Sequence, residues 1–197
     1  DGWGTPTPDT FWKKGTYQWV ALIDGEVVGS QRFYVEAVGL VTKHSNPYFS
    51  IEHVKLFHGD VDGWNQRQRK YLKTFNKNTT QYVWAEIKIK AQTNIAFNYE
   101  LFLNYVDDSG QHKAHQIKTG YIDANKKDYT YTLDLGWGSN VAGTWKDDKY
   151  ALEIVFMDSL IGAVTFECKD EEEEGELTLI SSIDQTIAIN SGSTTNT

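Results

Sequence analysis

Residues 83–105 read VWAEIKIKAQTNIAFNYELFLNY. Val83, Ala85, Ile87 and Ile89 alternate with Trp84, Glu86, Lys88 and Lys90. After a turn at Thr93-Asn94, the apolar residues Ile95, Phe97, Tyr99, Leu101, Leu103 and Tyr105 form a second row, with Asn98, Glu100 and Asn104 among the intervening positions. Successive side chains of a strand point to opposite faces, so an apolar residue at every second position marks a strand with one buried side. Two such rows joined by a short turn predict an antiparallel hairpin. The fold class that follows is all-β, an antiparallel sandwich.

The same pattern extends both ways. Phe49 to Phe57 reads as a short strand carrying Ile51, Val54 and Leu56, preceded by a connector over 39–48 that ends at Asn46-Pro47. Gly59-Asp60-Val61-Asp62-Gly63 breaks the chain. Residues 64–77 (WNQRQRKYLKTFNK) contain the one basic cluster, Arg67, Arg69 and Lys70, and read as a solvated linker anchored by Tyr71 and Phe75. Downstream, Asp107-Asp108-Ser109-Gly110 is a hairpin turn. Tyr129, Tyr131, Leu133 and Leu135 then alternate with Thr130, Thr132 and Asp134.

One element occurs twice. Gly2-Trp3-Gly4, Trp12, Tyr17, Asp24, Gly29 and Phe33 return as Gly136-Trp137-Gly138, Trp145, Tyr150, Asp158, Gly162 and Phe166. Each copy reads as a Trp-bearing loop and a hairpin, with turns at Asp24-Gly25 and Asp158-Ser159. A residue repeated with its scaffold serves the scaffold. Trp3, Trp12, Trp137 and Trp145 are therefore expected to plug the ends of the sandwich, donating their indole N–H to loop carbonyls.

The order of elements is a strand, a crossover bearing Arg69, Tyr71 and Phe75, two long strands, a Tyr-rich strand, then Gly136-Trp137-Gly138, Trp145, Tyr150 and a closing hairpin. Over residues 48–168 this resembles the immunoglobulin-like accessory modules appended to larger bacterial proteins. The resemblance implies sandwich architecture, lacks the paired cysteines of antibody-type domains, and brings no activity with it. The chain then divides into an N-terminal hairpin element (1–38), a sandwich domain (48–168), an acidic linker (169–176) and a strand segment with a polar tail (177–197). The first element is either the remnant of a preceding similar module or strands completing this one.

With 197 residues, the chain is long enough for one large or two small domains with a proper core. Its 14% aromatic content favours β structure, where such rings fit half-buried pleated surfaces. The net charge is −8, but Lys169 to Glu176 alone sets one Lys against six acids. No basic face emerges, so nucleic-acid binding is disfavoured. No apolar run approaches the roughly 20 residues that cross a bilayer, which argues against membrane insertion. With no leader visible and Asp1 first, the chain reads as a mature product or a piece of something longer. Cys168 is the sole cysteine and reads as a small buried hydrophobe. A lone thiol is compatible with the cytoplasm and with a bacterial surface alike.

No motif of nucleophilic, metal or phosphate chemistry is present, so no catalytic residue, metal site or cofactor is predicted. Asp60 and Asp62 lack the spaced bidentate Glu of a calcium loop and read as turn residues. His112 and His115, three apart on a strand, are expected on opposite faces. The leading reading is a non-catalytic structural or protein-interaction module. Its segment Leu177, Leu179, Ile183, Ile187, Ile189 would add to a sheet edge, its own or that of a protein partner or second copy. The alternative is a carbohydrate-binding module whose glycan platform is Trp64, Trp84 and Tyr105, rings outside the repeated scaffold. A third option is a metal-stabilised adhesion domain using Asp60 and Asp62, or Asp107 and Asp108.

Overall fold

A computed structural model describes residues 12–35, 38–39, 41–42, 44–63 and 65–180. The protein is all-β, with strands β1 (Gly15–Ile23), β2 (Glu26–Val35), β3 (Phe49–Gly59), β4 (Leu72–Asn76), β5 (Tyr82–Ala91), β6 (Phe97–Asp107), β7 (His112–Ile122), β8 (Thr130–Gly138), β9 (Asp148–Phe156), β10 (Ser159–Lys169) and β11 (Glu173–Glu174). They fall into two compact units, residues 1–39 and 40–197.

The second unit is sandwich-like. One sheet has the order β3-β5-β8, the other β11-β4-β10-β9-β6-β7. The alternation in 83–105 builds it as predicted: Val83, Ala85, Ile87 and Ile89 face inward, and so do Leu101, Leu103 and Tyr105. With Phe49, Leu56, Leu133, Leu152, Ile154 and Phe156 they form a single hydrophobic core. The turn predicted at Thr93-Asn94 joins β5 to β6, yet these strands do not pair. β5 lies between β3 and β8, while β6 lies between β7 and β9. The two apolar rows therefore meet face to face across the core, not side by side in one hairpin.

The sheets are antiparallel except that β4 runs parallel to β10, through Thr74, Phe75 and Asn76 opposite Glu167, Cys168 and Lys169. Cys168 is buried at this seam, where burial pushes its thiol up to about 12. The acidic run is not a free linker. Glu173 and Glu174 pair with β4, and Glu172, Glu173 and Asp170 meet Lys70, Lys73 and Lys77. Lys70, Lys73 and Lys77 lie on or beside β4, and the acids fold back along that strand.

The hairpin β9–β10 sets Tyr150 opposite Phe166, with a bulge between Leu160 and Gly162. Its turn residues are Met157 (φ 48°) and Asp158 (φ 58°), one position earlier than the predicted Asp158-Ser159. Trp145, Tyr150 and Phe166 form a trio: Trp145 meets Tyr150 edge-on at 5.3 Å, and Tyr150 stacks on Phe166 at 5.4 Å and 17°. Trp145 is buried and donates its indole N–H to the Gln81 carbonyl at 3.1 Å.

In the first unit, β1–β2 sets Tyr17 opposite Phe33, with a bulge beside Ala21. Its turn residues are Asp24 (φ 51°) and Gly25 (φ 86°). Trp12 meets Tyr17 edge-on at 5.1 Å, and Tyr17 stacks on Phe33 at 5.5 Å and 18°. Trp19, Leu22, Ile23, Val27 and Val28 are exposed. Trp3 lies outside the described residues.

Candidate functional site

The densest polar constellation lies on the outer face of β3-β5-β8. Register places Glu86 of β5 beside Asp134 of β8, and Trp84 beside Gly136. β3 contributes Lys55 opposite Glu86 and Phe57 opposite Trp84. The crossover 60–71 passes over this face and lowers Arg69 onto it. The Arg69 guanidinium lies 4.4 Å over the Phe57 ring and donates to both oxygens of Asp134, at 3.1 and 2.7 Å. It also pairs with Glu86. Tyr71 donates to Glu86 at 3.0 Å, and the His53 ring sits 3.3 Å from the same carboxylate.

Burial alone would push the Glu86 carboxyl up; hydrogen bonds from Tyr71, Arg69 and His53 outweigh it and hold it below its ordinary value. The Arg69 side chain is 6% exposed. Two carboxylates side by side suggest acid–base chemistry, which needs one of them protonated or free to take a proton. Here both are bound to one guanidinium that stays charged. Among the described residues no group of His, Cys, Asp and Glu is arranged to hold a metal. The cluster fastens the crossover to the sheet.

Of the predicted glycan platform, Trp64 lies outside the described residues. Trp84 is half-buried: its N–H donates to the Asp60 carbonyl at 2.8 Å, its ring lies against Gly63, and it fills the space a Cβ on Gly136 would need. Tyr105 is fully buried and donates to the Val83 carbonyl at 3.1 Å, so as a ligand platform it is corrected. Its place in the apolar row explains this: strict alternation drives it into the core with Leu101 and Leu103.

Of the predicted strand-addition segment, Leu177 and Leu179 pack against the core of their own unit. Ile180 bridges Ala163 through backbone hydrogen bonds of 2.9 and 2.8 Å, extending the β10 edge beyond β4. Ile183, Ile187 and Ile189 lie outside the described residues.

The aspartates proposed for metal make turns. Asp60 Oδ1 accepts the Asp62 N–H; Asp107 accepts from Ser109 and Gln111 and pairs with Lys113 at 2.6 Å. The Lys113 contact, with the Ser109 hydroxyl, holds the Asp107 carboxyl well below its usual range. His112 and His115 are exposed, and His115 stacks on Phe102 at 5.3 Å.

A groove that the sequence did not reveal lies elsewhere. β9 pairs with β6 only from Leu101 onward, because the Met157-Asp158 turn ends it there. The uncovered start of β6, with β7 and Met157, borders a groove of about 550 Å³ lined by Asn98, Glu100, Phe102, Thr119 and Tyr121. It arises where strands of unequal length meet, a property of register between distant segments.

No family model matches the chain, and no curated protein matches it. Among solved structures it is similar to a Paenibacillus sp. cycloisomaltooligosaccharide glucanotransferase complexed with cycloisomaltoheptaose. That likeness has 12% identity and a TM-score of 0.41, and covers 62% of this chain and 14% of the other.

Proposed function

We propose that the protein is a non-catalytic, immunoglobulin-like β-sandwich module that makes structural contacts with other polypeptide through its sheet edges. The observation that carries this is β1–β2, a two-stranded sheet with exposed Trp19, Leu22, Ile23 and Val27. A lone hairpin is marginal in water, and unpaired apolar strands are templates for further strands. The Arg69 cluster supports it too, since the acids best placed for chemistry are committed to holding the fold. Sedimentation velocity across a wide concentration range tests it: association should grow with concentration and vanish in Leu22→Lys/Ile23→Lys. A chain that stays monomeric at the highest concentration removes self-assembly from the proposal.

Carbohydrate binding is the second reading, and what favours it is the groove beside Tyr121. This ring is 54% exposed and has Asn98, Glu100 and Thr119 as hydroxyl partners. Calorimetric titration with neutral oligosaccharides, in wild type and Tyr121→Ala, tests it; absence of binding heat across gluco- and manno-oligosaccharides would remove it.

A further inference from the structure

We infer that β1–β2 is the closing hairpin of another module of this same fold, lying directly N-terminal in the polypeptide, and that its exposed face is built to be covered by that module's counterpart of the β3-β5-β8 sheet, with counterparts of β6 and β4 paired along its edges. This deepens the interaction reading by naming the partner.

From Trp12/Trp145 through Phe33/Phe166, every structurally equivalent pair is separated by 133 positions, with no insertion between. Along that alignment the turns coincide, Asp24-Gly25 on Met157-Asp158, each with two left-handed residues. The bulges coincide as well, each just before Gly29 and Gly162. The aromatic trios agree within 0.3 Å in centroid separation and within 7° in interplanar angle. Gly-Trp-Gly precedes both hairpins.

Burial then identifies the missing neighbour. Trp19, Ile23 and Val28 are 49%, 62% and 57% exposed, whereas their counterparts Leu152, Phe156 and Ile161 are 0%, 1% and 9% exposed. A hairpin shaped for water would not keep large apolar side chains at the positions its twin buries. In the twin, β6 pairs along β9 and β4 along the end of β10, while Phe49 of β3 in the opposite sheet meets Phe156 at 5.0 Å across the core. A second copy of this chain cannot supply these strands without breaking its own pairs. The cover is therefore a module whose own last hairpin is this one. In the complete unit β8, Gly-Trp-Gly and hairpin follow one another directly, and Gly2-Trp3-Gly4 leads into β1 in the same order, which places that module upstream.

The test fuses residues 40–134 to the N-terminus of the full chain and follows amide hydrogen exchange of β1 and β2 by mass spectrometry. Their protection should rise from that of an isolated hairpin to near that of β9 and β10, and Ile23→Lys should abolish the gain while β9–β10 stays protected. A fused segment that folds without protecting β1–β2 overturns the inference. If that segment does not fold, a swap decides: residues 148–168 replaced by residues 15–35 should retain one cooperative unfolding transition at a lowered midpoint, and loss of that transition overturns it. These readouts do not depend on self-association, so a monomeric result in sedimentation leaves them unaffected.

Discussion

The two hairpins share an interior and differ in their surroundings. In β1–β2 the edge-on Trp and stacked Tyr and Phe are half-buried; in β9–β10 the same arrangement lies in a core, with Trp145, Tyr150 and Phe166 at 7%, 4% and 1% exposure. Cross-strand pairing of Tyr17 with Phe33 and of Tyr150 with Phe166 accompanies the same stacking in both surroundings. Burial, the larger energetic term, depends on strands far away in sequence.

The sharpest way to break the comparison is to truncate equivalent rings. Phe166→Ala should lower the stability of the second unit by about 3–5 kcal/mol, read from denaturant unfolding, while Phe33→Ala leaves that transition in place. Equal effects would mean that the first hairpin is covered after all. Next in size is Arg69→Ala, which strips Glu86 and Asp134 of their shared guanidinium and should cost about 3 kcal/mol. Arg69→Met with Glu86→Leu should recover most of it. The cluster lies on β3-β5-β8, so the loss should appear in the denaturant unfolding transition of the second unit.

Exchanging turn chemistry sharpens the comparison further. Met157 occupies a left-handed conformation that Asp24 and Gly25 tolerate better, so Met157→Asn/Asp158→Gly should stabilise the second unit by about 1 kcal/mol. The smallest effect is on pH. The folded-state value of Glu86 lies below its ordinary 4.5, so its contribution is complete above that value and is lost as pH falls through the depressed one. Acid unfolding of Glu86→Gln should accordingly show a shallower pH dependence than wild type.

Strands and facing were legible wherever alternation was long. Val83 to Tyr105 gave two strands and their inward sides, and that row already placed Tyr105 in the core, against its use as a platform. The repeat marks the segments that form β1–β2 and β9–β10, but residue type matches Asp158 to Asp24 whereas backbone conformation matches Met157 to it, and its Gly2-Trp3-Gly4 limb lies outside the described residues. Arg69 was illegible because its partners lie 17 and 65 residues away. The signal was still there, since Glu86 and Asp134 are mid-strand acids on the outward side of two strands. Read alone, the acidic run suggested a solvated linker; only its pairing with the lysines of and beside β4 shows it as part of a sheet.

That fold-back has a consequence for how such modules can join. The outer margin of the larger sheet ends in a ribbon of carboxylates, so another acidic margin approaching it meets repulsion before any backbone bond can form. The opposite margin, β7, is long and carries exposed Ile117 and Tyr121 among basic side chains instead of carboxylates. The two flanks of the sheet thus differ in charge: carboxylates line one, and His112, Lys113, His115 and Lys118 stand along the other.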